Sequence, residues 1–222
     1  MIVLGLTGSI GMGKSSAATM LRRMGVPLFD ADLAVHRLLA PGGLGVAPVA
    51  AAFPGVGAAV DGIDRALLGR RVFGDDAALR RLEAILHPLV RQAERRFVGR
   101  ARSRHAPLVV LDVPLLLESG GERRCDYVLV VSAPAFLQRQ RVIRRPGMSE
   151  SRYAAILARQ MPDRDKRRRA DFVVLTGLGR NLTLRRLQAV VRLLRARGKG
   201  DARDCPRHRN YRARSRRRPP HR

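Results

Sequence analysis

Residues 2–15, Ile2-Val3-Leu4-Gly5-Leu6-Thr7-Gly8-Ser9-Ile10-Gly11-Met12-Gly13-Lys14-Ser15, decide how this chain folds. Ile2 to Thr7 is a short apolar run that stops at glycine, the pattern of a strand buried on both faces of a parallel sheet. Gly8 to Ser15 then fits GxxxxGK[ST]. From Lys14 to Arg23 the period turns helical, with Ala17, Met20 and Leu21 on one face. Strand, glycine loop and helix in that order make a cradle for phosphate. The glycines let successive backbone N–H groups turn inward, and the helix N-terminus adds its positive end. Gly11, Met12, Gly13, Lys14, Ser15 and Ser16 are therefore the candidate nucleotide-binding residues. Lys14 is expected to contact the β and γ phosphates, exposed in the loop rather than packed, and the Ser15 hydroxyl to ligate Mg²⁺.

Downstream, strands and helices alternate. Val26–Phe29 reads as a second strand ending at Asp30-Ala31-Asp32, with a helix following through His36 to Leu39. Residues 41–62 are rich in Gly, Pro and Ala and read as loop or weak helix, and 64–104 as mostly helical, interrupted at Pro88. Leu108–Val113, Asp126–Val131 and Asp171–Leu175 are further buried strands. An arginine-rich helical stretch, Phe136 to Lys166, lies between the last two, and an amphipathic helix over 181–197 follows them. This alternation predicts an α/β architecture with a doubly wound, mostly parallel sheet.

In such sheets ligands gather at the carboxyl ends of the strands. Asp30 and Asp32 lie there. On an extended segment both would point toward the phosphate loop, one to accept a proton and the other to hold the site or the metal's waters. The alternative is a helix N-cap, where Asp is favoured. Asp112, at the end of the Leu108–Val113 strand, is a candidate Mg²⁺ support, with a helix cap or a pair with an arginine as the alternative; for Glu118 that structural role is the preferred reading. Arg139, Arg141, Arg144 and Arg145 precede Pro146-Gly147; for any one of them a solvated helix face is the preferred reading, while the cluster as a whole favours at least one folding over bound ATP.

Composition narrows the classes. The 222 residues are 45% hydrophobic, enough for a sizeable core, and carry a formal charge of +26. Residues 198–222 hold 10 Lys/Arg against 2 Asp/Glu, leaving +18 on residues 1–197. That field attracts phosphates of any kind, so charge alone nominates no partner. No apolar run reaches the roughly 18–20 residues of a membrane span, and the first residues lack the basic region of a secretory signal. Cys125 and Cys205 cannot build a disulfide framework or a zinc site, which fits a reducing cytoplasm. A guanine-reading Asn-Lys-x-Asp tetrapeptide does not occur, which argues against a GTPase switch. Aromatics make up 4% with no Trp, so stacking platforms for single-stranded nucleic acid are missing.

Several stretches together carry a resemblance: Leu6–Ser15, Asp30-Ala31-Asp32, Leu82–Pro88, Leu111-Asp112-Val113-Pro114-Leu115-Leu116-Leu117-Glu118, Gln138 through Ser149, Gln160-Met161-Pro162 and Ala170-Asp171. In order and spacing, from residue 2 to about 195, the chain resembles the dephospho-CoA kinases, P-loop enzymes of the last step of coenzyme A synthesis. The resemblance implies a P-loop NTPase-type core within 1–197, with a helical substrate-binding insertion at about 36–104 and a lid at about 138–166. It implies ATP as cosubstrate with Mg²⁺, dephospho-CoA as acceptor, a cytoplasmic setting, and a monomer. By carry-over Asp32 is the general base, Lys14 and Arg145 steady the γ-phosphoryl, and Ser15 and Asp112 serve the metal. Ser16 stands where the family often has Thr, Met12 where it often has a small residue, and Leu175 where it often has a polar one. The stretch 198–222 has no counterpart; it reads as a disordered basic tail that touches nucleic acid only non-specifically.

Overall fold

The computed structural model describes residues 1–58 and 60–199. Among the described residues two compact units are present, one built from residues 1–28 and 101–199, the other from Phe29–Arg100. The elements are β1 (Ile2–Thr7), α1 (Lys14–Arg23), β2 (Leu28–Asp30), α2 (Ala31–Leu39), α3 (Val46–Ala52), β3 (Gly57–Ala58), β4 (Gly62–Ile63), α4 (Arg65–Val72) and α5 (Asp76–Ser103). There follow β5 (Leu108–Asp112), a 3-10 turn at Gly121–Arg124, β6 (Tyr127–Ser132), α6 (Ala135–Ile143), α7 (Glu150–Ala158), α8 (Asp163–Arg169), β7 (Phe172–Leu175) and α9 (Arg180–Lys199).

The main sheet runs β2-β5-β1-β6-β7. β1 pairs in parallel with β5 (Leu4 opposite Val110) and with β6 (Leu4 opposite Tyr127), and β6 pairs in parallel with β7 (Val130 opposite Val173). The strand order turns back at β1, so the crevice at the carboxyl end of β1 is the ligand position of a doubly wound sheet. Every residue of β5 and of β6 is buried, which is why both read as unbroken apolar runs rather than alternating ones. Leu4, Leu6, Ala17, Leu21, Leu108, Val110, Leu129, Val131, Leu187 and Leu194 share one core, on which α1 and α9 pack. Asp126 and Asp171, at the mouths of β6 and β7, accept from the amides of Val3 (2.8 Å) and Val128 (2.7 Å), tying neighbouring strands in register.

The second unit has its own core of Leu39, Val46, Val49, Phe53, Val56, Ile63, Leu68 and Leu86. The stretch 41–62 is more ordered than its composition suggests, forming α3 and the β3–β4 hairpin, because Val46, Val49, Phe53 and Val56 bury their side chains there. Pro88 does not interrupt the helix. It lies inside the 28-residue α5, although its missing N–H leaves the Ala84 carbonyl without the usual donor. Leu82, Ile85 and Leu86, packed in this core, hold the helix across the gap.

Candidate active site

The loop after β1 is anchored before it turns. The Thr7 hydroxyl donates to the Pro114 carbonyl at 2.8 Å, and the Val113 amide donates to the Leu6 carbonyl at 3.1 Å. Gly11 (φ 76°) and Gly13 (φ 88°) occupy the left-handed region, which side chains rarely adopt. Gly13 stands at the N-cap of α1, with no side-chain cap and no acidic residue in the first turn. The first-turn amides of α1 thus keep their donors for an anion, and no acidic residue of that turn opposes negative charge.

The far side of the loop is clamped. The Gln138 side-chain amide donates to the Ile10 carbonyl at 2.8 Å, while the Ile10 amide donates to Gln160 Oε1 at 3.0 Å. Arg141 donates to the Gly11 carbonyl (3.3 Å) and to Thr176 O (3.0 Å), and the Thr176 hydroxyl donates to the Met12 carbonyl at 2.7 Å. A Cβ on Gly11 would come within 2.6 Å of Val142 Cγ2, and one on Gly13 within 2.9 Å of Thr176 Oγ1. Both glycines are therefore required by space as well as by conformation. Met12 is 2% exposed, and its sulfur accepts from the Ala133 amide at 3.0 Å. A large residue fits at that position because it turns into the core.

Lys14 is not the exposed loop side chain expected from the sequence. Its ammonium lies 2.7 Å from Asp112 Oδ1, with side-chain exposures of 17% and 4%. The end of β5 thereby holds the loop lysine in place, an attraction strengthened by the buried carboxylate. Ser15 and Ser16 are exposed on the first turn of α1. Asp30 and Asp32 do not share one extended face. β2 ends at Asp30, whose carboxylate caps α2 by accepting from Leu33 N at 3.0 Å. Asp32 is already helical and exposed in the first turn of α2. Of the two readings of this segment the helix N-cap holds, and the cap starts α2 immediately after Asp30.

The arginines divide. Arg141 holds the loop, as described. Arg139 pairs with Glu150 on α7. Arg145 is exposed in the turn between α6 and α7, where its carbonyl accepts from Met148 N at 3.2 Å. Glu118 is structural, as expected, but its partner is a lysine. Its Oε1 accepts from Met161 N at 2.9 Å and lies 2.8 Å from the ammonium of fully buried Lys166. Nearby, the Ser132 hydroxyl donates to Asp163 Oδ2 at 2.7 Å. Burial pushes the Tyr153 phenol of α7 above its usual range, against the pull of Arg139. Gln138, Gln160, Thr176 and Lys166 have no role assigned from the sequence. Gln138 and Gln160 stand in stretches that carry the family resemblance, and Thr176 directly follows the carboxyl end of β7.

Among the described residues, no three His, Cys, Asp or Glu side chains cluster as a metal cage. No helix there is long and apolar enough to cross a membrane.

A parallel sheet ordered β2-β5-β1-β6-β7 with a GxxxxGKS loop between β1 and α1 defines a P-loop nucleotide-binding protein. The family model for dephospho-CoA kinase matches residues 2–178. A dephospho-CoA kinase of Paramagnetospirillum magneticum is 64% identical over 196 residues, covering 88% of this chain and 92% of the relative. One of Rhodospirillum rubrum is 57% identical over 195 residues, with 88% and 92% covered. Among solved structures, a Thermus thermophilus protein superposes with a TM-score of 0.75 at 37% identity, over 87% of this chain and 97% of its own. This chain belongs to the dephospho-CoA kinase family. It is a kinase with ATP as cosubstrate.

Proposed function

We propose that the protein transfers the γ-phosphoryl group of ATP to the ribose 3′-hydroxyl of dephospho-CoA, giving CoA and ADP. The observation that carries this reading is the family match across residues 2–178 together with 64% identity to a dephospho-CoA kinase. The local chemistry agrees with it. Phosphoryl transfer needs positioning and cationic clamps more than covalent machinery, and the loop offers inward amides, Lys14 and a helix N-terminus.

In this reading the acceptor oxygen forms a bond to the γ-phosphorus as the bond from that phosphorus to the β–γ bridging oxygen breaks, leaving ADP. Asp32 takes the proton of the hydroxyl, and its exposed position early in α2 leaves the carboxylate open to a substrate. Gly11 through Ser16 form the phosphate-binding stretch, in which the Met12 amide closes the turn on the Ser9 carbonyl at 3.1 Å and the other amides are left for phosphate. Lys14 and Arg145 offset charge on the transferred group. The helical part of about 36–104 receives the dephospho-CoA, and the segment of about 138–166 serves as lid.

The donor set suits Mg²⁺. This ion keeps several waters and takes one or two protein oxygens besides phosphate oxygens, so a protein cage is not needed. The Ser15 hydroxyl and the Asp112 carboxylate, one at the start of α1 and one at the end of β5, would hold it. Held there, it would supply positive charge against the phosphate oxygens of ATP. A monomer acting in the cytoplasm completes the reading. A coupled assay of ADP release with ATP and dephospho-CoA tests it, with adenosine and nucleoside monophosphates as controls. Turnover with a control acceptor but none with dephospho-CoA would overturn it.

A further inference from the structure

A phosphate loop aims its amides inward only if its carbonyls are held outward. Across a trans peptide the C=O of one residue and the N–H of the next point in opposite directions. Whatever binds the Ile10 carbonyl therefore aims the Gly11 amide, and whatever binds the Met12 carbonyl aims the Gly13 amide. Thr176 does the second, at 2.7 Å. Gln138, 5% exposed on α6, does the first, at 2.8 Å. The amide of that same Ile10 donates to Gln160 at 3.0 Å, from the turn between α7 and α8.

The backbone dictates which end each glutamine presents. An N–H can only donate, so Gln160 must offer its oxygen; a carbonyl can only accept, so Gln138 must offer its NH₂. We infer that Gln138 and Gln160 form a two-point latch on Ile10 that sets the phosphate-binding conformation of the loop. They are positioning residues, acting through the backbone rather than on substrate. The latch joins the loop to both ends of the segment running from Gln138 to Gln160.

Two features stiffen it. The α6 backbone presses so closely that a Cβ on Gly11 would meet Gln138 O at 2.9 Å. Gln160 stands next to Met161, whose amide is held by Glu118 at 2.9 Å, and Glu118 is paired at 2.8 Å with fully buried Lys166. That ion pair fixes the base from which Gln160 reaches.

The inference rests on reading Gly8–Ser15 as the phosphate loop, and its test uses binding rather than turnover. Gln138→Glu sets an acceptor against the Ile10 carbonyl, and Gln138→Met removes the donor. Gln160→Glu keeps the acceptor, and Gln160→Met removes it. ATP affinity is measured by calorimetry, melting temperature by circular dichroism, and kcat and KM for both substrates by the coupled assay. Both Gln138 variants and Gln160→Met should bind ATP about tenfold more weakly, the scale of one lost hydrogen bond to a site group, while Gln160→Glu stays within about threefold of native. The KM for dephospho-CoA should stay within about twofold in all four. If Gln138→Glu does not fold, Gln138→Met carries the comparison. Native ATP affinity in folded Gln138→Met, or equal loss in Gln160→Glu and Gln160→Met, would overturn the latch. A native protein that binds ATP but leaves dephospho-CoA unphosphorylated overturns the proposed reaction and leaves the latch standing.

Discussion

Lys14→Ala should lose activity and stability together, and the two losses should separate in a second variant. The Lys14 ammonium lies 2.7 Å from Asp112 Oδ1, the lysine 17% and the aspartate 4% exposed. Removing one partner of a fully buried ion pair costs about 3–5 kcal/mol. The partial exposure of Lys14 on the loop lowers that, because water screens the end of the pair that it reaches, so about 2–3 kcal/mol is expected. For a chain of this length about 2–4 °C of melting temperature accompanies each kcal/mol, so the variant should melt about 4–12 °C lower. Turnover should fall at least about a hundredfold, since the charge is removed where phosphoryl charge develops. Lys14→Ala/Asp112→Asn replaces the carboxylate by a neutral amide of the same shape. It should recover more than half of the lost melting temperature and none of the activity. Thermal melts by circular dichroism and the coupled assay read both quantities. A single variant that melts like the native protein would refute the energetic reasoning. One that turns over like the native protein would remove Lys14 from the phosphate site.

Asp32→Asn keeps the shape of an exposed first-turn residue of α2, so stability should hold while kcat falls about a hundredfold, the scale of a positioned base. A loss of ATP affinity with kcat unchanged would contradict the proton-accepting role. Arg145→Ala, in the turn between α6 and α7, should lower kcat more than it raises the KM for dephospho-CoA; a pure KM effect would exclude a role on the transferred group. The expected basic tail lies, from residue 200 on, outside the described residues, whereas Gly198 and Lys199 belong to α9. Truncation should therefore follow Lys199 and not Arg197, because Gly198 packs so closely that a Cβ there would sit 2.2 Å from the Pro107 carbonyl. A chain cut after Lys199 should keep kcat and both KM values within about twofold and elute from heparin at lower salt.

Much of the core was legible in residues 2–23 because its cause is local. An apolar run of strand length, glycines where the left-handed region is needed, and a change of period at Lys14 each leave their own mark on residue types. The same holds for β5 and β6, whose burial on both faces requires unbroken apolar runs, and for α9. Local rules misled where tertiary packing outweighed them. Pro88 should break a helix, yet the packing of Leu82, Ile85 and Leu86 carries α5 through it. For Asp30 and Asp32 the residues left two local readings open, an extended face or a helix N-cap, and the bond that Asp30 accepts from Leu33 N is the cap, which puts Asp32 on a helix. Other features had no local signature at all. Which strands flank β1, why Lys14 meets Asp112 across 98 positions, and why Arg141 rests on the loop rather than in solvent all depend on pairs distant in sequence. Gln138, Gln160 and Thr176 were the hardest to foresee. Their partners are the backbone amide and carbonyls of Ile10 and Met12, and a peptide group is the same whatever side chain it carries. A side chain matched to a distant peptide therefore leaves no complementary residue type to find, and only the folded chain brings the two together.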